Sequence, residues 1–405
     1  MAKKVYIDGQ WYDITEFAKN HPGGSVIEFY ENQDATHVYK EMHYRSKIAN
    51  NILKGLPKLE DIPAAPTDDS NKDMLADFDK WRQSLEDRGF FKPDLSHVYY
   101  RLNELILIFF MATWCMGQET LFWQFISVLL YGLFGGRCGW VQHEGGHCSF
   151  TGDKKVDKRI QKITMGFGTM LGGSLWNSMH NKHHATTQKV DHDVDLDTMP
   201  FVLFHQDVFK KSRGVSKLWL QFQAWTFIPL TSGMFVPLFW VYYLHPRKII
   251  RDRDYEQGFY TLLGHIGRTS IIYTVSDLSL FQSYLCVMAS MYVTSSYLFG
   301  HFSTSHTFMP VVQNNENPNW VEYSVHHTVD IDTQNPVVCW IMGYLNCQCV
   351  HHLFPQMPQF RQPYVSKELK IFAKKWGLQY SHIGYFQAWY NTFHNLDNVG
   401  KLITN

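Results

Sequence analysis

The chain has 405 residues, and its 37 Lys+Arg balance 37 Asp+Glu to a formal charge of zero. That balance excludes the basic surface on which nucleic-acid binding depends, and 45% hydrophobic against 18% charged residues excludes a disordered chain. An aromatic content of 16% with 13 Trp points to membrane contact, where Trp and Tyr gather at the interfaces, and 21 His invite a search for metal ligands at regular spacing.

The opening Met-Ala-Lys-Lys has no long apolar run behind it, so no cleavable signal peptide is expected and the N-terminus is expected in the cytosol. Val5-Tyr6-Ile7 and Gln10-Trp11-Tyr12-Asp13-Ile14 flank Asp8-Gly9, a hairpin signal that opens a small α+β module over residues 1–56. Residues 57–73, rich in Pro and polar side chains, read as a linker. Residues 74–92 predict an amphipathic helix with Leu75, Phe78, Trp81 and Leu85 on one face, a core face.

Apolar runs at 102–116 and 121–140, each near the ~20 residues that cross a bilayer, predict a helical hairpin, and runs at 224–244 and 280–302 predict two further spans. A count of four puts Arg247, Lys248, Arg251 and Arg253 on the far side, against the positive-inside bias. A second version lays 224–244, interrupted by Pro229, Gly233 and Pro237, in the interface and builds the second hairpin from 270–302. Both versions cross an even number of times and keep every His cluster on the cytosolic side. The seven cysteines contain no C-x-x-C pair and read as reduced thiols. The Lys367 to Lys375 segment mixes Leu369, Ile371 and Phe372 with lysines and reads as an amphipathic helix at the membrane surface.

Three His clusters lie outside the apolar runs. His143-Glu144-Gly145-Gly146-His147 places two imidazoles four residues apart, on one helix face. His180-Asn181-Lys182-His183-His184 and Gln348-Cys349-Val350-His351-His352 repeat that spacing, with Gln348 in the place of a leading ligand. Any one of these imidazoles alone reads as a hydrogen-bonded polar residue, but three matched clusters do not. Seven imidazoles are too many for one structural zinc, whereas imidazole ligation suits redox-active iron with positions left for oxygen. His143-Glu144-x-x-His147 also fits the zinc-protease pattern. That reading leaves the other two clusters unexplained and puts paired glycines in an active-site helix. In the alternating acids Asp191, Asp193, Asp195 and Asp197, a calcium loop is excluded by Leu196 and Val202 at its sixth and twelfth positions; this loop is expected to support neighbouring imidazoles.

In the N-terminal module, His21-Pro22-Gly23-Gly24, Asp34-Ala35-Thr36 and His43 provide two imidazoles that could flank a planar group and fill both axial positions of haem iron. His37 rivals His43 as the second ligand. These residues resemble the haem-binding core of cytochrome b5, and the three boxes resemble those of membrane fatty acid desaturases. A b5 module ahead of boxes of which the third begins with Gln is similar to the front-end desaturases of the Δ5 and Δ6 type. The resemblance extends to Arg137-Cys138-Gly139-Trp140, His192-Asp193-Val194-Asp195-Leu196-Asp197-Thr198 and Leu353-Phe354-Pro355. Departures are Glu144 where Asp is common, Cys349-Val350 before the last His pair, and a b5 module that lacks its usual leading strand and helix.

The resemblance implies a mainly α integral membrane protein with about four transmembrane helices and cytosolic His-box helices, and a desaturase domain over 74–405. It implies haem b held by His21 and His43, and two iron ions held by His143, His147, His180, His183, His184, His351, His352 and, between the last span and the third box, His306. Gln348 stands beside them, His301 is a weaker candidate for the extra ligand, and His326 and His327 are expected to be structural. Electrons would come from NADH through a cytochrome b5 reductase, and dioxygen would be consumed as a fatty acyl chain, carried on CoA or phospholipid, gains a cis double bond. The protein would sit in the endoplasmic reticulum membrane with its haem domain and boxes in the cytosol. Residues near Trp140 and Trp340 are expected to line the acyl slot. A sphingoid-base desaturase or hydroxylase shares this architecture; a non-catalytic haem adaptor is the non-enzyme alternative, which intact boxes disfavour.

Overall fold

The computed structural model describes residues 3–60, 62–63, 71–196, 198, 200–209 and 216–404. Strands β1 (Lys4–Ile7) and β2 (Gln10–Asp13) pair antiparallel with Ile7 opposite Gln10. Asp8 and Gly9 between them both have positive φ, the geometry an Asp-Gly hairpin turn requires. Strand β3 (Lys58–Leu59) adds to the free edge of β2, so the segment expected as a linker begins inside the sheet. Asp61 and residues 64–70 of that linker lie outside the described residues. Helices α1 (Thr36–His43) and α2 (Lys47–Gly55) complete the module.

Helix α3 (Lys72–Asp87) buries Phe78 and Leu85 of its predicted face, half-buries Leu75 and Trp81, and buries Met74 as well. One hydrophobic core runs from Val5, Ile7 and Ile14 through Phe78 and Leu85 to Val350 and Phe354. Phe78 and Phe354 stack with centroids 5.7 Å apart. The N-terminal module and the third His box are therefore packed on the same side chains. The helix Gln362–Trp376, with the lysine-rich segment expected at a membrane surface, turns Leu369 and Phe372 into this core as well, and Lys375 pairs with Asp77 at 2.7 Å. Its apolar face packs into this core, which leaves Ile371 as the one strongly exposed apolar side chain of that stretch.

The remaining chain is a helical bundle. Helices α4 (Leu95–Met116) and α5 (Leu121–Gly146) form a hairpin, followed by α6 (Lys154–Ile163), α7 (Gly173–Ala185), α8 (Gln223–Asp252), α9 (255–275) and α10 (Leu280–Ser303). Close approach of α5 to α10 depends on small residues: a Cβ on Gly136 would lie 2.2 Å from the Tyr297 ring, and one on Gly139 2.7 Å from Leu298. Such glycine-lined seams let helices pack closely where a surrounding apolar phase gives them no hydrophobic drive to associate. Helices α11 (Gln348–Leu353), α12 (Gln362–Trp376) and α13 (Tyr385–Thr404) close the chain.

Two of these helices, α5 and α8, are long and apolar enough to cross a membrane among the described residues. The turn after α4 meets the end of α9, where a Cβ on Gly117 would sit 3.1 Å from the Val275 carbonyl; the α4–α5 and α9–α10 turns thus share one end of the bundle. Both ends of α8 lie at the opposite end. Gln223 donates to Leu396 O at 2.9 Å, and the Gly172 amide donates to His245 Nδ1 at 2.7 Å. Between these points α8 widens into π turns at Phe227–Phe235 and Trp240–Leu244, around Pro229 and Pro237, which cannot continue a regular ladder. The basic stretch that starts at Arg247 consequently stands at the His-box end, tied there by Lys162 to Asp254 at 2.7 Å.

Candidate metal centre and haem pocket

Helix α5 ends in the first box, α7 carries the second, α11 the third, and His306 follows α10 in a turn. Every one of these imidazoles is buried. They form two groups: His143, His147, His180, His184 and His351 present ring nitrogens within 4.8 Å of one another, as do His183, His306 and His352. The groups touch through the stacked rings of His184 and His352, 4.2 Å apart. His180 Nε2 lies 3.0 Å from both His147 Nε2 and His184 Nε2.

The second group's outer nitrogens are oriented by side chains. His183 Nδ1 faces both oxygens of Asp193 at 3.0 Å, so its proton sits there and Nε2 is left without a partner. Asp193 is itself fixed by the amides of Gln188 and Asp195 at 2.6 and 2.9 Å. Thr187 Oγ1 donates to His183 O at 2.9 Å and therefore accepts from His352 Nδ1 at 3.0 Å. Ser305 reaches His306 Nδ1 at 3.2 Å, and Gln348 Nε2 lies 3.1 Å from His352 Nε2. Thr187 and Ser305 escape sequence reading because a lone hydroxyl carries no motif. In the first group, Gln359 contacts His143 Nδ1 at 2.8 Å.

Burial holds most of these rings neutral, the form that binds a metal. Burial, then the crowding of like imidazoles, drives His180, His184, His351 and His352 well below the ordinary range. Burial pushes His147 and His306 to about 3. For His183, burial also pulls downward, but Asp193 and then Asp195 outweigh it and raise the ring to about 9. Unpaired ring nitrogens, among them both of His351, Nε2 of His183 and Nδ1 of His184, are buried together. Each orphaned polar atom costs about 1–3 kcal/mol, so converging nitrogens are stable together when cations share them. Donor type, number and division into two groups fit two iron ions.

The zinc-protease reading fails on geometry. Glu144 does not face the imidazoles: its Oε1 accepts from the Gln359 amide at 3.0 Å and its Oε2 lies about as far from His97 and Arg101 as weak ion pairs allow, 3.9 and 4.0 Å. His301 is also outside the groups, with its nitrogens engaged by Tyr297 O and the Tyr385 hydroxyl. His327 donates to Pro310 O, and neither it nor His326 joins the groups.

In the N-terminal module, His21 and His43 face each other with ring centroids 6.3 Å apart, close to what two imidazoles need to hold one metal from opposite sides with bonds of about 2 Å. Each donates Nδ1–H to a backbone carbonyl, His21 to Gly24 at 3.1 Å and His43 to Tyr39 at 3.0 Å. Nε2 of each is thus a free lone pair, and burial lowers both rings toward neutrality. His37 is turned away, bonded to Asp79 at 3.1 Å and set edge-on to Phe78. These residues fit a haem.

Two cavities flank the imidazole groups. One of about 410 Å³ contains His21 and His43 and reaches His147. The other, of about 310 Å³, is walled mainly by apolar side chains such as Trp176, Met179, Phe239 and Phe302, and touches His180, His183, His306 and Gln348. Of the residues near Trp140, Gly139 and Gln142 line it, whereas the Trp140 and Trp340 side chains do not: Trp140 Nε1 donates to the Tyr297 hydroxyl and Ile341 O, and Trp340 covers the Arg137 guanidinium.

Residues 120–384 match the fatty acid desaturase family, and residues 4–78 match the cytochrome b5-like heme/steroid binding domain. An acyl-lipid (8-3)-desaturase of Rebecca salina is 40% identical, over 98% of this chain and 91% of its own length. Another acyl-lipid (8-3)-desaturase, from Thraustochytrium sp, is 36% identical over 99% and 93%. A Delta(6)-fatty-acid desaturase of Caenorhabditis elegans is 27% identical over 99% and 97%. The chain belongs to the fatty acid desaturase family, as a di-iron oxidoreductase with a cytochrome b5-like haem domain at its N-terminal end.

Proposed function

We propose that this chain is a front-end desaturase that inserts a cis double bond between an existing one and the carboxyl end of a lipid-bound polyunsaturated acyl chain, at the position of the (8-3)-desaturases. The observation that carries this reading is the order of the parts: a bis-imidazole cavity, then the two imidazole groups, then an apolar cavity. Electron source and acyl chain reach the same centre from opposite sides. The regiochemistry is supported by the two (8-3) relatives, at 40% and 36% identity against 27% for the Delta(6) enzyme.

In this reading His21 and His43 hold haem. His143, His147, His180, His184 and His351 hold one iron; His183, His306 and His352, with Gln348 beside them, hold the other. The iron pair supplies the oxygen chemistry. Per turnover, an acyl –CH₂–CH₂–, O₂, two electrons and two protons become –CH=CH– and two waters. Asp193 and Thr187 keep the Nδ1 protons of His183 and His352 pointing outward. The apolar cavity excludes water and holds the acyl chain, each buried methylene contributing about 0.8 kcal/mol. Haem held by His21 and His43 would supply one-electron chemistry, fed by an NADH-dependent cytochrome b5 reductase.

The proposed domains are a haem domain over 1–56, to which β3 adds, a linker to 73 and a catalytic domain over 74–405. The proposed membrane arrangement has α4, α5, α9 and α10 crossing as two hairpins, with α8 lying in the cytosolic leaflet, because both its ends are held at the His-box end. This puts the basic stretch after α8 on the cytosolic side of the endoplasmic reticulum membrane, as the positive-inside bias requires. The test is expression in a yeast that makes no polyunsaturated fatty acids, fed C18 and C20 polyunsaturated acids, with double bonds mapped by mass spectrometry. A new bond on the carboxyl side of the first existing one is the expected result. A haem-loaded, iron-loaded protein that leaves fatty acids unchanged and alters sphingoid bases overturns it.

A further inference from the structure

The cavity that holds His21 and His43 is not closed by the haem module alone. His147, Lys158, Asn181, Ala185 and Gln356, all from the catalytic domain, form part of its wall. Two contacts pin the module there. Gln356, four residues after His352, is buried; its Nε2 donates to Met42 O at 2.7 Å and its Oε1 accepts from the Arg45 amide at 3.1 Å. One side chain next to the third box thereby brackets the backbone on both sides of His43. Also in the wall of the cavity, Tyr30 donates its hydroxyl to Ala185 O at 2.7 Å, directly after His184.

We propose that Gln356 and Tyr30 are positioning residues that hold the haem module in one fixed pose against the second and third boxes, so that haem-to-iron electron transfer runs across a set distance. The inference rests on the proposed haem and iron ligands. In each transfer one electron leaves the reduced haem and enters the metal centre; the reductase replaces it from NADH, and no bond is made or broken. Tunnelling rates fall steeply with separation. A module that merely swung on its linker would make the step depend on a search governed by effective concentration. Side chains that pin the backbone around the haem ligand remove that search, as positioning does in other reactions.

The test uses the full-length, haem- and iron-loaded protein. Its haem is reduced anaerobically, then mixed with O₂ and an acyl-lipid substrate, and haem reoxidation is followed by stopped-flow absorbance. In Gln356→Leu and Tyr30→Phe the Soret spectrum, haem content and iron content stay as in the parent chain, while substrate-dependent reoxidation slows at least fivefold, and further in the double variant. Reoxidation by ferricyanide from solution stays unchanged, which a merely structural defect in the haem pocket would alter. Tyr30→Phe removes a single hydroxyl, so it answers the question should Gln356→Leu lose haem. Parent-like reoxidation in the double variant overturns the assignment of Gln356 and Tyr30 as the side chains that hold the pose. Absence of substrate-dependent reoxidation in the parent chain overturns instead the ligand assignment on which the inference rests.

Discussion

The haem pocket and the metal centre are both built from buried imidazoles, yet they are held in different ways. In the haem pocket each ligand-bearing ring is oriented by a carbonyl three or four residues away, Gly24 for His21 and Tyr39 for His43. In the metal centre the orienting groups are side chains, some from remote sequence: Thr187 for His352 and Gln359 for His143. Backbone carbonyls cannot be removed by substitution, and side chains can. The haem site is therefore tolerant of changes around its ligands, while the metal centre is tuned, and exposed to damage, through its surroundings.

The largest effects come from the ligands themselves and show that the two sites are separable. His351→Ala should abolish turnover and lower bound iron, measured by elemental analysis, while the haem of the same protein stays reducible with an unchanged Soret band. His43→Ala should do the reverse, losing haem absorbance with iron retained. If each substitution emptied both sites, the two would be one folding unit and the comparison would fail.

The same contrast explains what could be read in the sequence. The haem pocket is local: its proposed ligands His21 and His43 and their carbonyls all fall within residues 21–43, and the Asp8-Gly9 hairpin beside them appears as its residue pair predicts. The boxes were legible as spacing, because residues four apart on a helix share a face whatever the rest of the chain does. The acidic loop was legible in role, since Asp193 does support an imidazole. Gln359 was not, for a glutamine far along the chain carries no signal until α5 and α12 are packed. The apolar cavity was legible only in part. Gly139 and Gln142 beside Trp140 do line it, but a buried indole N–H needs an acceptor, and its acceptors point the Trp140 side chain into the α5–α10 seam instead. Helix α8 shows the limit of hydropathy: its length and composition suit a crossing, whereas the contacts of Gln223 and His245 at one end of the bundle are what favour the proposed interfacial placement.

Smaller effects should follow from the outer partners of the metal centre. Asp193→Asn removes the carboxylate behind His183 and should weaken iron binding about 10–100-fold, the usual size for such partners, with haem untouched. It should also change the pH response of the metal-free chain. His183 is raised to about 9 by Asp193 and Asp195, so the charged pair stabilises the fold fully below the ordinary histidine value near 6.5 and loses that contribution as pH rises through 9. The thermal midpoint of metal-free protein in detergent should fall over that window in the parent chain and stay flatter in Asp193→Asn. An equal slope in both would detach His183 from its carboxylate.

The smallest effect, and the sharpest reading of the comparison, belongs to Gln359. Its Nε2 faces His143 Nδ1 while its Oε1 is buried without a partner. Turning the carboxamide over lets Oε1 accept from His143 Nδ1–H, which leaves Nε2 of the ring for the metal. Gln359→Met keeps the volume and loses the acceptor, leaving the ring to choose its own tautomer at a cost near that of one hydrogen bond, about 1 kcal/mol, or roughly a fivefold loss of iron affinity. Gln359→Glu restores an acceptor at the same place and should recover most of that loss. Were the two variants to bind iron equally, the orientation of His143 would come from packing alone. The metal centre would then be held as the haem pocket is, by groups that no single substitution removes.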